Sequence, residues 1–219
     1  MIITILTLFP EVFTNIFSSS ILGRAQKKGL LNIRFINIRK FGIGRHLEVD
    51  SKPYGGGVGM IMRVDVLERA ITSSKLKVKS SKFHEKVILL DPKGKQFNQK
   101  KARSFSKLDH LILVCGHYEG MDDRISNFID EKVSIGEYIL TGGEIPAMVI
   151  VDSTIRLLRG VLIKKEATID ESFTKKKELS PPVYTRPNTY KGFEVPKVLI
   201  SGNHEKINEW SKNQRILLK

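Results

Sequence analysis

Apolar residues along this chain fall into short runs whose spacing switches between the two-residue period of strands and the longer period of helices. Ile2 to Leu8 is rich in Ile and Thr, and Pro10 opens an amphipathic stretch reaching about Lys28, so the chain is expected to begin as a strand followed by a helix. Leu31 to Ile38 reads as a second strand. Phe41 to Met60, dense in glycine and charge, is expected to be a long functional loop, and Arg63 to Ser73 has helical spacing. Lys75 to Lys86, rich in Lys and Ser, is expected to be a flexible surface excursion. Val87 to Leu90 and Leu111 to Cys115 are apolar runs of strand length, with Gln96 to Lys107 as the helix between them. Gly142 to Leu158 predicts a further helix, with apolar residues at Ile145, Val149, Ile150, Ile155 and Leu158. Buried strands separated by helices imply a parallel sheet, so residues 1–160 are expected to form an α/β domain covered on both faces.

The pattern changes after Gly160. Lys164 to Glu178 is polar and carries a Lys175-Lys-Lys run, and Pro181, Pro182, Pro187 and Pro196 punctuate the loop-rich tail. Residues 161–178 are expected to be a linker and residues 179–219 a small helical second domain. Its principal helix is expected over Asn203 to Leu218, with Asn203 capping the first turn, Glu205 at the positive end, and Ile207, Trp210, Gln214 and Leu217 on one face.

Composition narrows the partners. Lys and Arg number 37 against 23 acids in 219 residues, a formal net charge of +14, which favours phosphate-rich partners, although a solubilising surface has the same signature. A single cysteine, Cys115, excludes an intrachain disulfide framework and a multi-thiolate metal site within one chain, and its apolar surroundings read as a buried strand rather than a nucleophile. Met1 to Phe9 lacks the basic first segment of a signal sequence, and no run approaches the ~20 apolar residues that span a bilayer. Cytoplasmic residence without a membrane partner is the expectation.

Neither Gly42-Ile-Gly44 nor Gly57-Val-Gly59 completes a dinucleotide fingerprint, and His204-Glu205 lacks the second histidine of a zinc-protease helix. Three other segments carry chemistry. Pro53-Tyr-Gly-Gly-Gly-Val-Gly-Met60 has four glycines in eight residues, which lets the backbone approach a ligand closely, although a merely flexible loop has the same composition. Leu113 to Arg124 runs from a buried strand into Gly116, His117, Tyr118 and Glu119, and ligands in open α/β sheets bind beyond the carboxyl ends of strands. Here His117 reads as a structural histidine, Tyr118 as a packing surface and Glu119 as an orienting carboxylate. Ser134 to Pro146 holds three glycines and an aromatic between apolar segments, the composition of a loop whose main chain meets an adenine edge while apolar side chains cover its faces.

Together with Leu8-Phe-Pro-Glu-Val-Phe13, Ile38-Arg-Lys-Phe41, Val49-Asp50, Arg156 to Leu162, Tyr184-Thr-Arg-Pro187 and Val195-Pro to Trp210, these segments resemble the bacterial tRNA (guanine-N1)-methyltransferases, the TrmD family of the SPOUT superfamily. The resemblance covers nearly the whole chain. It departs where Asp50 is followed by Ser51 rather than a second acid, where residues 173–184 lack the usual Asp-Gly-Leu-Leu, and in a shorter tail.

The resemblance implies a deep trefoil knot in the amino half, which general rules of topology would not suggest. It implies S-adenosylmethionine as methyl donor, a homodimer with its active site at the subunit interface, and tRNA bearing guanosine at positions 36 and 37 as substrate, methylated at N1 of guanosine 37. Carried over by motif, Gly116, Ile135, Gly136, Glu137, Tyr138, Ile139 and Leu140 would contact the donor, with Leu90, Tyr118, Gly142, Gly143 and Pro146 around the same pocket. The family's base is an aspartate in an Asp-Ser-Phe motif; here the segment reads Asp170-Glu171-Ser172-Phe173, so Glu171 aligns and Asp170 stands in reserve. Arg156 would stabilise charge developing on guanine O6 and Glu119 would orient it. Arg186, Lys191, Lys197, His204 and the Lys175 run are candidate tRNA contacts, with solvated surface charge as the alternative for each. Mg²⁺ also comes with the resemblance, although methyl transfer needs no metal in principle and no carboxylate cage is recognisable. Two alternatives remain open on sequence: a SPOUT enzyme acting at another RNA position, and a catalytically silent RNA-binding relative.

Overall fold

A computed structural model describes residues 1–78, 80–175 and 177–218. Lys79, in the expected excursion, and Lys176, in the lysine run, lie outside the described residues, as does Lys219. The chain divides into two compact units, Met1–Ile163 and Lys164–Lys219.

The first unit runs β1 (Ile2–Thr7), a 3-10 turn (Pro10–Phe13), α1 (Thr14–Ser18), α2 (Ser20–Lys27), β2 (Asn32–Asn37), β3 (Asp50–Ser51), β4 (Ile61–Met62), α3 (Val64–Ser74), β5 (Glu85–Gln96), α4 (Gln99–Phe105), β6 (His110–Cys115), β7 (Glu131–Ser134) and α5 (Glu144–Ile155). The single helix expected from Pro10 is thus three pieces. The break falls in the serine triplet, where Ser19 is extended and its hydroxyl donates to the Asn15 carbonyl at 2.5 Å, the competition with helical bonding that serine offers.

Five strands form one parallel sheet in the order β2-β1-β6-β5-β7. Alternation along the strands builds a core on each face. Ile3, Ile5, Ile88, Leu90, Leu111 and Leu113 meet Phe17, Leu22, Phe105, Ile150 and Ile155 on the side of α1, α2, α4 and α5. Leu6, Val87, Leu89, Ile112 and Val114 meet Val66, Leu67, Ala70 and Ile71 of α3 on the other. Full burial of such side chains stabilises by ~1.5–3 kcal/mol each, so the two-sided sheet is the main source of stability in this unit. At its amino edge the buried His110 ring bridges Thr4 Oγ1 (2.8 Å) and Glu85 Oε2 (2.6 Å), which keeps the polar residues there hydrogen-bonded.

Two features of the sheet depart from the expected pattern. β7, with one apolar residue in Glu131-Lys-Val-Ser134, is an edge strand that the hydrophobic pattern does not announce. β5 continues past Leu90: Leu90 and Lys95 both pair with Val133, so Asp91 to Gly94 bulges out at the carboxyl edge before pairing resumes at Gln96–Ser134. The intervening helix accordingly starts at Gln99, capped by the Asn98 side chain.

The second unit contains β8 (Glu178–Leu179), β9 (Thr189–Tyr190), β10 (Phe193–Glu194), α6 (Lys197–Ile200), α7 (His204–Asn213) and β11 (Ile216–Leu217). Asn203 caps α7 by accepting from the Lys206 N–H at 3.1 Å, as expected. The helix expected over Asn203 to Leu218 is corrected: α7 stops at Asn213, and Leu217 lies not on the helix face with Ile207 but in β11, where it pairs with Glu178. The tertiary partner outweighs the local period, since Ile216 and Leu217 complete a backbone ladder with β8 that a longer helix would forgo.

Candidate functional site at the carboxyl edge of the sheet

The three glycine-bearing segments come together where β1, β5 and β6 end. The loop through Gly55 returns into β4, whose Met62 N–H donates to the Gly120 carbonyl (2.9 Å), while the Met60 carbonyl accepts from Glu119 N–H (3.1 Å). The second segment meets the third through the Gly143 N–H donating to the Gly116 carbonyl at 2.8 Å and a bridge between His117 and Gly142. A Cβ on Gly142 would stand 2.6 Å from His117 Nδ1, and one on Gly143 would stand 2.6 Å from Cys115 Cα, so both glycines are required for this close approach. His117 sits edge-on between the rings of Phe9 (5.1 Å) and Tyr118 (5.2 Å), and its buried Nδ1 has no hydrogen-bond partner. Glu144, opening α5, accepts from Thr7 Oγ1 at 2.7 Å.

Along the third segment, Ser134 Oγ donates to the Gly136 carbonyl (3.0 Å) and accepts from its N–H (3.2 Å), turning the chain immediately after β7. Among the described residues, the N–H groups of Glu137, Tyr138, Ile139 and Leu140 make no hydrogen bond to protein atoms. A cavity of about 350 Å³ opens beside them, walled by Gly136, Glu137, Tyr138 and Ile139 on one side and Pro92, Gly94, Gln96 and Ser134 on the other. Ile139 is 81% exposed and Tyr138 54%, an apolar and an aromatic surface held at the cavity mouth.

The family model for tRNA (Guanine-1)-methyltransferase TrmD matches residues 1–218. The chain belongs to this family. Among curated relatives, the protein named tRNA (guanine-N(1)-)-methyltransferase from Carboxydothermus hydrogenoformans is 51% identical over 216 residues, which cover 98% of this chain and 83% of that protein. Those of the same name from Dictyoglomus turgidum and Endomicrobium trichonymphae are 47% identical (98% of this chain, 84% of that protein) and 44% identical (95% and 91%).

For a TrmD-family chain, the expected donor contacts divide into two groups. Gly136, Glu137, Tyr138 and Ile139 line the cavity, whereas Gly116, Gly142 and Gly143 form the backbone junction between the strand end and α5. Leu90 and Pro146 are buried, Leu90 just ahead of the β5 bulge; Ile135 and Leu140 are half-buried, and Tyr118 is exposed in a left-handed conformation. Ser134, which opens the expected loop, lines the cavity, whereas Pro92, Gly94 and Gln96 were not expected there. The turn signal Asp91-Pro-Lys-Gly94 directly after an apolar strand is the clue that points to Pro92 and Gly94.

The expected catalytic side chains are dispersed. Glu119 is exposed at the carboxyl edge. Arg156 ends α5, a helix that starts at that edge and runs ~18 Å away from it at 1.5 Å per residue. At the far end, a Cβ on Gly160 would touch Leu30 Cδ1, and the Leu30 carbonyl accepts from the Met1 ammonium at the amino edge. One chain therefore holds Glu119 and Arg156 at opposite edges of the sheet. Asp170 and Glu171 belong to the second unit, where Asp170 is ion-paired with Arg215 and the Glu171 N–H donates to Thr174 Oγ1 at 3.3 Å.

Two arginine forks frame the carboxyl edge. Arg63 donates to Asp65 through Nε (3.1 Å) and Nη2 (2.9 Å), and Arg124 to Asp122 through Nε (2.9 Å) and Nη2 (2.5 Å). These bonds hold both carboxyls below their usual range, so their stabilisation is present at neutral pH and is lost as pH falls through the lowered values. In the second unit a larger concavity of about 920 Å³ is lined in part by Tyr184, Arg186 and Trp210, the two rings 6.3 Å apart. Lys191, Lys197 and His204 are exposed, with Lys191 Nζ 5.5 Å from the Tyr190 ring centroid. Among the described residues no group of three or more His, Cys, Asp or Glu side chains could hold a metal, and no helix is long and apolar enough to cross a membrane.

Cys115 is buried in β6, and burial, with the nearby Glu144 charge, pushes its thiol well above the ordinary range. Thiol reagents at neutral pH are expected to leave the native protein unlabelled and to titrate one thiol after denaturation. Stoichiometric labelling of the folded protein would contradict that burial.

Proposed function

We propose that this chain transfers a methyl group from S-adenosylmethionine to N1 of guanosine 37 in tRNA carrying guanosine at position 36. The observation that carries this reading is the cavity walled by residues 92–96 and 134–139 at the carboxyl edge, where backbone hydrogen bonds also join the three glycine segments, in a chain whose family model is matched over residues 1–218.

The cavity's size falls within the ~300–1,000 Å³ usual for small-molecule sites. The N–H groups of Glu137 to Leu140 suit the acceptor edge of adenine, and Tyr138 and Ile139 can cover its faces. When bound, S-adenosylmethionine supplies a sulfonium methyl to the guanine nitrogen. Glu171 takes the N1 proton as the nitrogen–carbon bond forms and the carbon–sulfur bond breaks, with Asp170 as the reserve carboxylate. Arg156 carries two or more donors to the O6 that gains negative charge, and Glu119 orients that guanidinium.

Because Glu119 and Arg156 of one chain stand at opposite edges of the sheet, the reading requires a homodimer whose second copy completes each site. α5 supports this: Pro146, Ala147, Ile150 and Ile155 are buried, yet Ile145 (52% exposed) and Val149 (39%) remain for a partner. The trefoil knot is part of the same proposal. Its support is the path of residues 134–143, which pair with Gln96 beyond the β5 bulge and then return to Gly116 at the end of β6. The second unit is assigned to tRNA, through Arg186, Lys191, Lys197, His204 and the lysines around 175, and the enzyme to the cytoplasm.

The test is incubation with unmodified tRNA bearing both guanosines, followed by nucleoside mass spectrometry. N1-methylguanosine at position 37 is the expected product. A 2′-O-methyl product, methylation elsewhere, or RNA binding without turnover would overturn the assignment.

A further inference from the structure

The segment that carries Glu171 is folded rather than free. Phe173 N–H donates to the Glu178 carbonyl (2.6 Å), Ser180 N–H to Ser172 Oγ (3.0 Å), and Thr174 N–H to the Glu171 carbonyl (3.1 Å), closing a compact turn. This turn is fastened to the far end of the chain. β11 pairs with β8, the Leu218 N–H donates to the Lys177 carbonyl at 2.9 Å, and between α7 and β11 the Arg215 side chain reaches back. Arg215 Nη1 lies 2.5 Å from Glu178 Oε1, and Nη2 bonds Asp170 Oδ1, so one guanidinium joins two carboxylates at the two ends of the turn. Arg215 is 18% exposed and Glu178 13%, whereas Asp170 is 75% exposed. The anchored arm of the fork is therefore Arg215–Glu178, and the arm to Asp170 steadies the residue next to the proposed base.

We propose that Arg215 is a positioning residue for the methyl transfer: by clamping Asp170 and Glu178 it sets where the Glu171 carboxylate stands. This rests on the reading of Glu171 as the base. An arginine suits the task because its planar fork fixes direction as well as distance, which a lysine ammonium does not. The coupling also gives the last residues of the chain a role in the rate of a step whose reactive carboxylate lies 44 positions earlier.

The experiment uses the full-length protein, with kcat and KM measured for tRNA and for S-adenosylmethionine. Misplacement of a catalytic group by about 1 Å can cost ~10²-fold, so Arg215→Ala is expected to lower kcat on the order of 10- to 100-fold. Both KM values should stay within about twofold if nothing in the fork touches a substrate. Arg215→Lys should regain only part of the loss. If Trp210 fluorescence shows the second unit unfolded in Arg215→Ala, Glu178→Gln removes the anchor with little change of shape, and the same kcat-only loss is expected. An unchanged kcat in the folded variants, or a kcat loss matched by a rise in the tRNA KM, would overturn the proposal. Glu171→Gln separates it from the underlying reading. If that variant alone is fully active, the base assignment fails. If it is inactive while Arg215→Ala is normal, only the clamp fails. If both hold, adding Arg215→Ala to Glu171→Gln should slow the residual rate no further.

Discussion

Glu171→Gln is expected to slow single-turnover methyl transfer by ~10²–10⁴-fold, the contribution of a positioned general base, while tRNA and donor affinities stay near those of the parent. The substitution keeps the side chain's size and removes only its capacity to accept a proton, so a fall in rate without a fall in binding isolates the chemical step. Asp170→Asn is the companion measurement. Asp170 is 75% exposed and already ion-paired with Arg215, which leaves it poorly placed to receive the N1 proton. Its loss is expected to cost less than ~5-fold, the scale of one exposed ion pair. A nearly dead Asp170→Asn beside an active Glu171→Gln would move the base by one residue and undo the alignment that favours Glu171.

Why the sequence leads so readily to the sheet and the glycine junction, and so poorly to the Arg215 fork, depends on how far each feature reaches. β1 and β6 are legible because Ile3, Ile5, Leu111 and Leu113 must each fill a core, and such demands are written residue by residue. Glycine requirements are equally local, so Gly142 and Gly143 stand out within their segment even though their neighbours, Cys115 and Gly116, lie at the end of β6. β7 carries one buried apolar residue and is defined by its backbone ladder to β5, which leaves no side-chain pattern to read. The extension of β5 beyond Leu90 is hidden by Pro92, a residue that ordinarily ends a strand and here sits in the bulge. Arg215 is illegible for a different reason. Its partners are 37 and 45 residues away, and nothing in Gln214-Arg-Ile216 distinguishes it from a solvated basic residue. Leu217 misleads for a similar reason, since it completes a helical face by count but serves a strand in space.

Gly143→Ala is expected to be the most damaging single change at the proposed donor site, more so than its size suggests. Gly143 precedes α5 with φ −82° and ψ −2°, a conformation that alanine adopts freely, so any penalty comes from space rather than backbone strain. The added methyl would stand 2.6 Å from Cys115 Cα and 2.9 Å from Gly116 N, and neither backbone atom can rotate aside. Relief requires the start of α5 to withdraw from the end of β6, stretching the 2.8 Å bond from Gly143 N–H to the Gly116 carbonyl and displacing the junction beside the cavity. Overpacking of this kind costs ~1–3 kcal/mol, readable as a lower urea midpoint. The larger effect is on the ligand: affinity for S-adenosylmethionine, measured by titration calorimetry, should fall at least about tenfold because the loop and the strand end no longer share one geometry. Gly29→Ala is the informative comparison. Gly29 has φ +69° with nothing within 4 Å of an added Cβ, so its loss of ~1–2 kcal/mol comes from left-handed strain alone. The two variants should resemble each other in stability and differ in donor binding, with Gly29→Ala binding like the parent. Equal affinities in both would mean that the Gly116–Gly143 junction does not shape the donor site, and the pocket would then be confined to the walls formed by residues 92–96 and 134–139.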